Sequence, residues 1–103
     1  MTKRIPDFMS PSEVRQLLGE RLKRIRLQAG WKRTTLAQRS GVSLGSLRRF
    51  ENTGEVSLKN LLRLVHALGR LDEFTSLLEP PPATSIKELE ESIEKKTPKR
   101  GRI

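Results

Sequence analysis

The sequence predicts an all-α domain of five helices with a helix-turn-helix at its centre, followed by a flexible C-terminal tail. Three observations carry this. Leucine supplies most of the large apolar residues at helical intervals, and no run of alternating β-branched residues suggests a strand. The stretch 33–50, RTTLAQRSGVSLGSLRRF, puts small, apolar and glycine residues where two short helices joined by a tight turn need them. The nine Lys or Arg from Arg21 to Arg49 are interrupted by no Asp or Glu, so a basic surface coincides with that motif.

Composition bounds the rest. A chain of 103 residues has room for one domain, and with three Phe, one Trp and no Tyr its core must be mainly leucine. The absence of cysteine excludes a disulfide framework and a thiolate metal site, and no apolar run is long enough to span a membrane. A soluble, cytoplasmic protein is expected. Residues 1–78 hold fifteen Lys or Arg against seven Asp or Glu, whereas 79–103 hold six against five, so the excess charge belongs to the expected domain. A basic run alone is an ordinary solvated helix face; its coincidence with the motif is what favours DNA.

In order, residues 1–10 read as a flexible arm and 11–78 as the domain. Ser10-Pro11-Ser12-Glu13 is a capping box with proline at the first helical position, so the first helix runs from Pro11 to Gln28 or Ala29. Leu18, Leu22 and Ile25 form its inner stripe. Arg21, Lys23, Arg24 and Arg26 spread over several faces, some able to meet a DNA backbone and the others keeping the helix soluble. Gly30 ends it and Trp31 seals the core.

The second helix spans 33–39, with Lys32 a poor cap and Thr34 a substitute should the helix start later. Leu36 and Ala37 face inward, Ala37 being small where helices cross. Gly41 takes the left-handed conformation that reverses the chain, Val42 plugs the corner, and Ser43 caps a third helix over 44–51 that buries Leu47 and Phe50. Asn52-Thr53-Gly54-Glu55 is a turn. Ser57 caps a fourth helix with Leu58, Leu61, Leu62, Val65 and Leu68 on its apolar side, ending near Gly69. A short fifth helix carries Leu71, Phe74, Leu77 and Leu78 until Pro80-Pro81-Pro82 stops it. Phe74, Leu77 and Leu78 are more apolar than the end of a small monomer leaves in water; they cap the core, form a contact between protomers, or do both.

These marks occur together in order: Leu22-x-x-Ile25-Arg26, Gly30-Trp31, Leu36-Ala37, Gly41-Val42-Ser43, Leu47-x-x-Phe50-Glu51-Asn52, Ser57-Leu58-x-x-Leu61 and Ala67-Leu68-Gly69. From Leu18 to Leu78 the chain resembles the lambda-repressor-like, or Xre, family of DNA-binding domains. Within it, Phe50-Glu51-Asn52 and the short basic chain look most like HipB-type antitoxins, which accompany HipA-like kinase toxins. The resemblance implies a five-helix lambda-repressor-like fold. It also implies a homodimer paired through the fifth-helix region, so that two recognition helices reach successive major grooves of double-stranded DNA at a palindromic operator. Repression of the chain's own promoter and a HipA-like kinase partner are implied too. The alternatives are a stand-alone Xre-type regulator without a toxin and, in another class, a basic RNA-associated protein, which the scarcity of stacking aromatics disfavours.

By the same resemblance Ser43, Leu44, Gly45, Ser46 and Arg49 stand where the family's recognition helix starts and reaches base edges, with Arg48 beside them. Leu44 offers only apolar contact to a thymine methyl and Gly45 no side chain, so Arg49 is the candidate for a bidentate guanine contact. Ser46 is a less discriminating partner, and Arg48 suits a phosphate as well as a base. Arg33 stands where relatives usually have glutamine, and there it reaches phosphate, with Thr34 next to it in the DNA-facing set.

Neither Trp31 nor His66 supports catalysis. His66 lies opposite the leucine stripe, with no second histidine, no cysteine and no set of carboxylates spaced around it, so no enzyme activity, metal or cofactor is expected. Residues 79–103 remain open. Ser85-Ile86-Lys87-Glu88 is a second capping box, and Ile86, Leu89 and Ile93 keep helical spacing before a basic end at Lys95, Lys96, Lys99, Arg100 and Arg102. The segment is either an untethered extension, or a helix that docks on a partner followed by a basic tail that adds nonspecific DNA attraction.

Overall fold

The computed structural model describes residues 9–82 and Ile93; the expectations for residues 1–8 and for the tail helix lie outside the described residues. Four α-helices and a closing 3-10 turn make up the fold, with no strand among the described residues. None of these helices is long and apolar enough to cross a membrane.

Helix α1 (Pro11–Gln28) starts on the expected box: Ser10 Oγ accepts the Glu13 N–H at 3.2 Å while Glu13 Oε1 accepts the Ser10 N–H at 2.8 Å. Helix α2 (Arg33–Ser40) begins without a side-chain cap at Lys32 and ends on Gly41 at φ 78°, one residue later than expected. Helix α3 (Leu44–Thr53) is capped by Ser43, whose Oγ accepts the Ser46 N–H at 3.1 Å. It runs two residues past the expected end. The Thr53 hydroxyl donates to Arg49 O at 2.7 Å and the Gly54 N–H to Phe50 O at 2.8 Å, which makes the first half of the expected turn the last turn of the helix.

Helix α4 (Leu58–Ala67) is capped by Ser57, but its buried face differs from the expected one. Leu64 is fully buried, and Leu61, Leu64, Val65 and Leu68 form the i, i+3, i+4, i+7 stripe; Leu58, in the first turn, is 68% exposed. The expected fifth helix is a 3-10 turn, Leu71–Phe74, followed by further turns. Its bonds reach back only three residues, as in Thr75 N–H to Asp72 O at 3.2 Å, and the Thr75 hydroxyl also donates to Asp72 O. By Leu78 the backbone has turned to φ 61°.

Leu22, Leu36, Val42, Leu47, Phe50, Leu64 and Val65 form the buried core, with Trp31, Ala37, Leu61, Leu68 and Phe74 packed around it. The crossing of α1 over α3 is close enough to require glycine at two positions. A Cβ on Gly19 would lie 2.3 Å from the carbonyl oxygen of Phe50, and one on Gly54 2.5 Å from the backbone of Arg15. Gly54 also sits at φ 84°. These two glycines let α3 and the turn after it lie directly on the backbone of α1.

Candidate nucleic-acid interface

Leu47 and Phe50 turn one face of α3 into the core and leave the opposite face to solvent. On that face Gly45, Arg48 and Arg49 are exposed, while Leu44 and Ser46 are half-buried. Beyond its chain neighbours and its own helix backbone, nothing lies within 4 Å of where a Gly45 Cβ would be, so this part of the helix presents bare backbone that a duplex could approach closely. The Arg48 side chain is exposed, makes no hydrogen bond or ion pair among the described residues, and is available to a phosphate or a base. The Ser43 hydroxyl is already engaged: besides accepting the Ser46 N–H that caps α3, it shares a hydrogen bond with Ser46 Oγ at 2.9 Å.

Arg49 is exposed but partnered. Its Nε donates to Glu55 Oε1 at 2.7 Å, and its Nη2 contacts the same oxygen. Arg33, at the start of α2, is also held: its Nε donates to Glu51 Oε1 at 2.9 Å, and the side chain retains 29% exposure. Thr34 beside it is exposed. Anchored through Nε, Arg33 keeps its two terminal amino groups for a phosphate, so a tether accompanies the expected contact.

That tether belongs to a buried charge cluster that reading the sequence missed. Arg26 is not a surface cation. It is 5% exposed, with Nε on Glu51 Oε2 at 2.7 Å, Nη2 on Glu51 Oε1 at 2.9 Å and Nη1 on the Trp31 carbonyl at 2.9 Å. Burial by itself raises the Glu51 pKa, but hydrogen bonds and charges from Arg26 and Arg33 outweigh it and hold the carboxyl below the usual glutamate value. The cluster ties the end of α1, the start of α2 and the last turns of α3 into one frame. The signal was present in the sequence: Arg26 follows Leu22 by four residues, on the inner stripe of α1.

Trp31 packs against the core as expected, and Arg39 lies over its ring at 4.4 Å to the centroid. Phe74 is half-buried against the core and caps it, one of the two roles expected of the trio, whereas Leu77 is 60% exposed and Leu78 fully exposed, so neither caps the core. His66 is exposed.

A short helix laid across the end of a second, basic helix that shows solvent its glycine and arginine face defines a DNA-binding helix-turn-helix domain, the class of transcriptional regulators. A family model described as helix-turn-helix matches residues 22–74, just over half of the chain, and the chain belongs to this lambda-repressor-like helix-turn-helix family. No curated protein matches it.

Proposed function

We propose that this chain is a sequence-specific repressor that occupies a palindromic operator as a homodimer, its own promoter being the simplest target, and that it acts by occupancy rather than catalysis. The observation that supports this most is the exposed face of α3. There Gly45, Arg48 and Arg49 stand in a stretch without acid from Arg21 to Phe50, and the next acid, Glu51, is neutralised inside the protein by Arg26 and Arg33. Protomer pairing draws on Leu77 and Leu78, apolar side chains left in water beside the 3-10 turn.

Selection from a random-sequence duplex pool, followed by footprinting on the chain's own upstream region, tests the reading. An enriched inverted repeat protected by two protomers is the expected outcome; binding without an enriched sequence would reduce the protein to a nonspecific DNA coat. The finer expectation, a HipA-like kinase partner, derives from the resemblance at Phe50-Glu51-Asn52. Phe50 and Glu51 are interior, so a kinase would have to meet other residues. Co-purification with the product of a neighbouring kinase-like gene decides between an antitoxin and a stand-alone regulator.

A further inference from the structure

The pairing of Arg49 with Glu55 is not forced by burial, since the two side chains are 68% and 46% exposed. The position of Glu55, however, is built. Gly54 is pinned against the Arg15 backbone, where no side chain fits, and its N–H is bonded to Phe50 O. Thr53 Oγ1 donates to Arg49 O at 2.7 Å and accepts the Glu55 N–H at 3.1 Å, which ties the loop back to the residue whose side chain Glu55 holds. Between Glu20 and Asp72 the chain has only two acids. Glu51 is interior, and Glu55 is the exposed one, next to the side chain best suited to read a base.

We propose that Glu55 is a specificity-determining residue. It orients Arg49 toward a guanine and disfavours every duplex that offers Arg49 only phosphate. This rests on the DNA-binding reading of α3. A guanidinium has five N–H donors. Glu55 takes the edge formed by Nε and Nη2, which leaves Nη1 and the outer Nη2 hydrogen as an end-on fork that matches guanine O6 and N7 in the major groove. An arginine without this partner swings freely and takes phosphates on any sequence. The carboxylate is repelled by phosphate on all duplexes alike, and only a guanine in reach of the oriented fork offsets that repulsion. Glu55 thus lowers affinity everywhere and lowers it least at the correct site.

The test uses the full chain as wild type, Glu55→Gln, Arg49→Ala and the double variant, with a random-sequence duplex pool as the probe. Wild type is expected to enrich sites with guanine at one position of each half-site. Glu55→Gln should melt like wild type, bind the unselected pool about 3–10-fold more tightly, and lose roughly tenfold of its guanine preference. In the Arg49→Ala background, which itself lacks that preference, Glu55→Gln should change only the pool affinity. A Glu55→Gln variant with wild-type guanine preference overturns the proposal. So does guanine preference that survives Arg49→Ala, because another residue then reads the base. A wild-type chain that binds duplexes but enriches no site removes instead the sequence-specific reading of α3 on which the proposal stands, and the proposal with it; one that binds no duplex removes the DNA-binding reading as a whole.

Discussion

Glu51 shows how one residue can set both the stability and the reach of the site. Its carboxylate is inside the protein with two arginines on it, so removing it strands Arg26 as an unpaired buried cation; Glu51→Ala should cost about 3–5 kcal/mol in denaturant unfolding. The pH dependence follows from the sign of the shift. The folded carboxyl titrates below its unfolded value of 4.5, so its contribution is complete above that pH and is lost as pH falls through the folded value. Melting curves on acidification should therefore show wild type losing stability faster than Glu51→Gln, and parallel curves would show that the cluster does not bind the proton differentially. Arg33→Ala, by contrast, leaves Arg26 and Glu51 paired and should weaken operator and random DNA alike. Arg49→Ala should cost about 1–3 kcal/mol at the operator and relax one base pair per half-site. A loss confined to the operator in Arg33→Ala would mean that Arg33 reads a base. At this scale the exposure of Gly45, Arg48 and Arg49 was legible from their places along α3, but the partners of Arg26, Arg33 and Arg49 were not. Arg26 and Glu51 are 25 positions apart in sequence, and only the crossing of α1 over α3 brings them together.

Among the elements, α3 depends on two glycines of opposite character. Gly19 lies inside α1 and reads in the sequence as a mere weak point of a helix, because nothing local reveals that the Phe50 carbonyl will cross above it. Gly19→Ala must push the helices apart, and the expected loss is about 1–3 kcal/mol or more, with the buried Arg26 cluster disturbed as well. Gly45 has open space around it, so Gly45→Ala should raise stability by about 0.5–1 kcal/mol through helix propensity. It should also weaken DNA binding if a duplex approaches the bare backbone there. A variant that gains stability with unchanged affinity would show that the groove does not come close at Gly45. Caps were the most legible feature: Ser10, Ser43 and Ser57 all cap as expected, since a cap is a local hydrogen bond written in adjacent residues. The apolar face of α4 was misplaced because leucines outnumber the positions that can be buried. Periodicity alone could not decide between a stripe starting at Leu58 and one centred on Leu64.

For the whole molecule, charge and symmetry make a joint prediction. Net charge is +9, and among the described residues the cations from Lys32 to Arg49 that lie around α2 and α3 have only Glu51 and Glu55 as acidic partners. If Lys32, Arg33 and Arg48 each neutralise one phosphate, a dimer should release counterions equivalent to about six contacts, and log affinity should fall against log salt with a slope of about −5. One protomer alone should show about half of that. Arg33→Ala should reduce the dimer's slope by about 2, because two copies of the contact disappear at once. Anisotropy titrations of an enriched duplex at several salt concentrations, with stoichiometry from sedimentation, measure both quantities on the same sample. A slope near −5 with one protomer per duplex would place more phosphate contacts on each chain than α2 and α3 provide, pointing to Arg21, Lys23 and Arg24 along α1. A slope near −2.5 with one protomer would leave Leu77 and Leu78 without a second copy to meet, and the two-fold arrangement would then be wrong even though the helix-turn-helix still bound DNA.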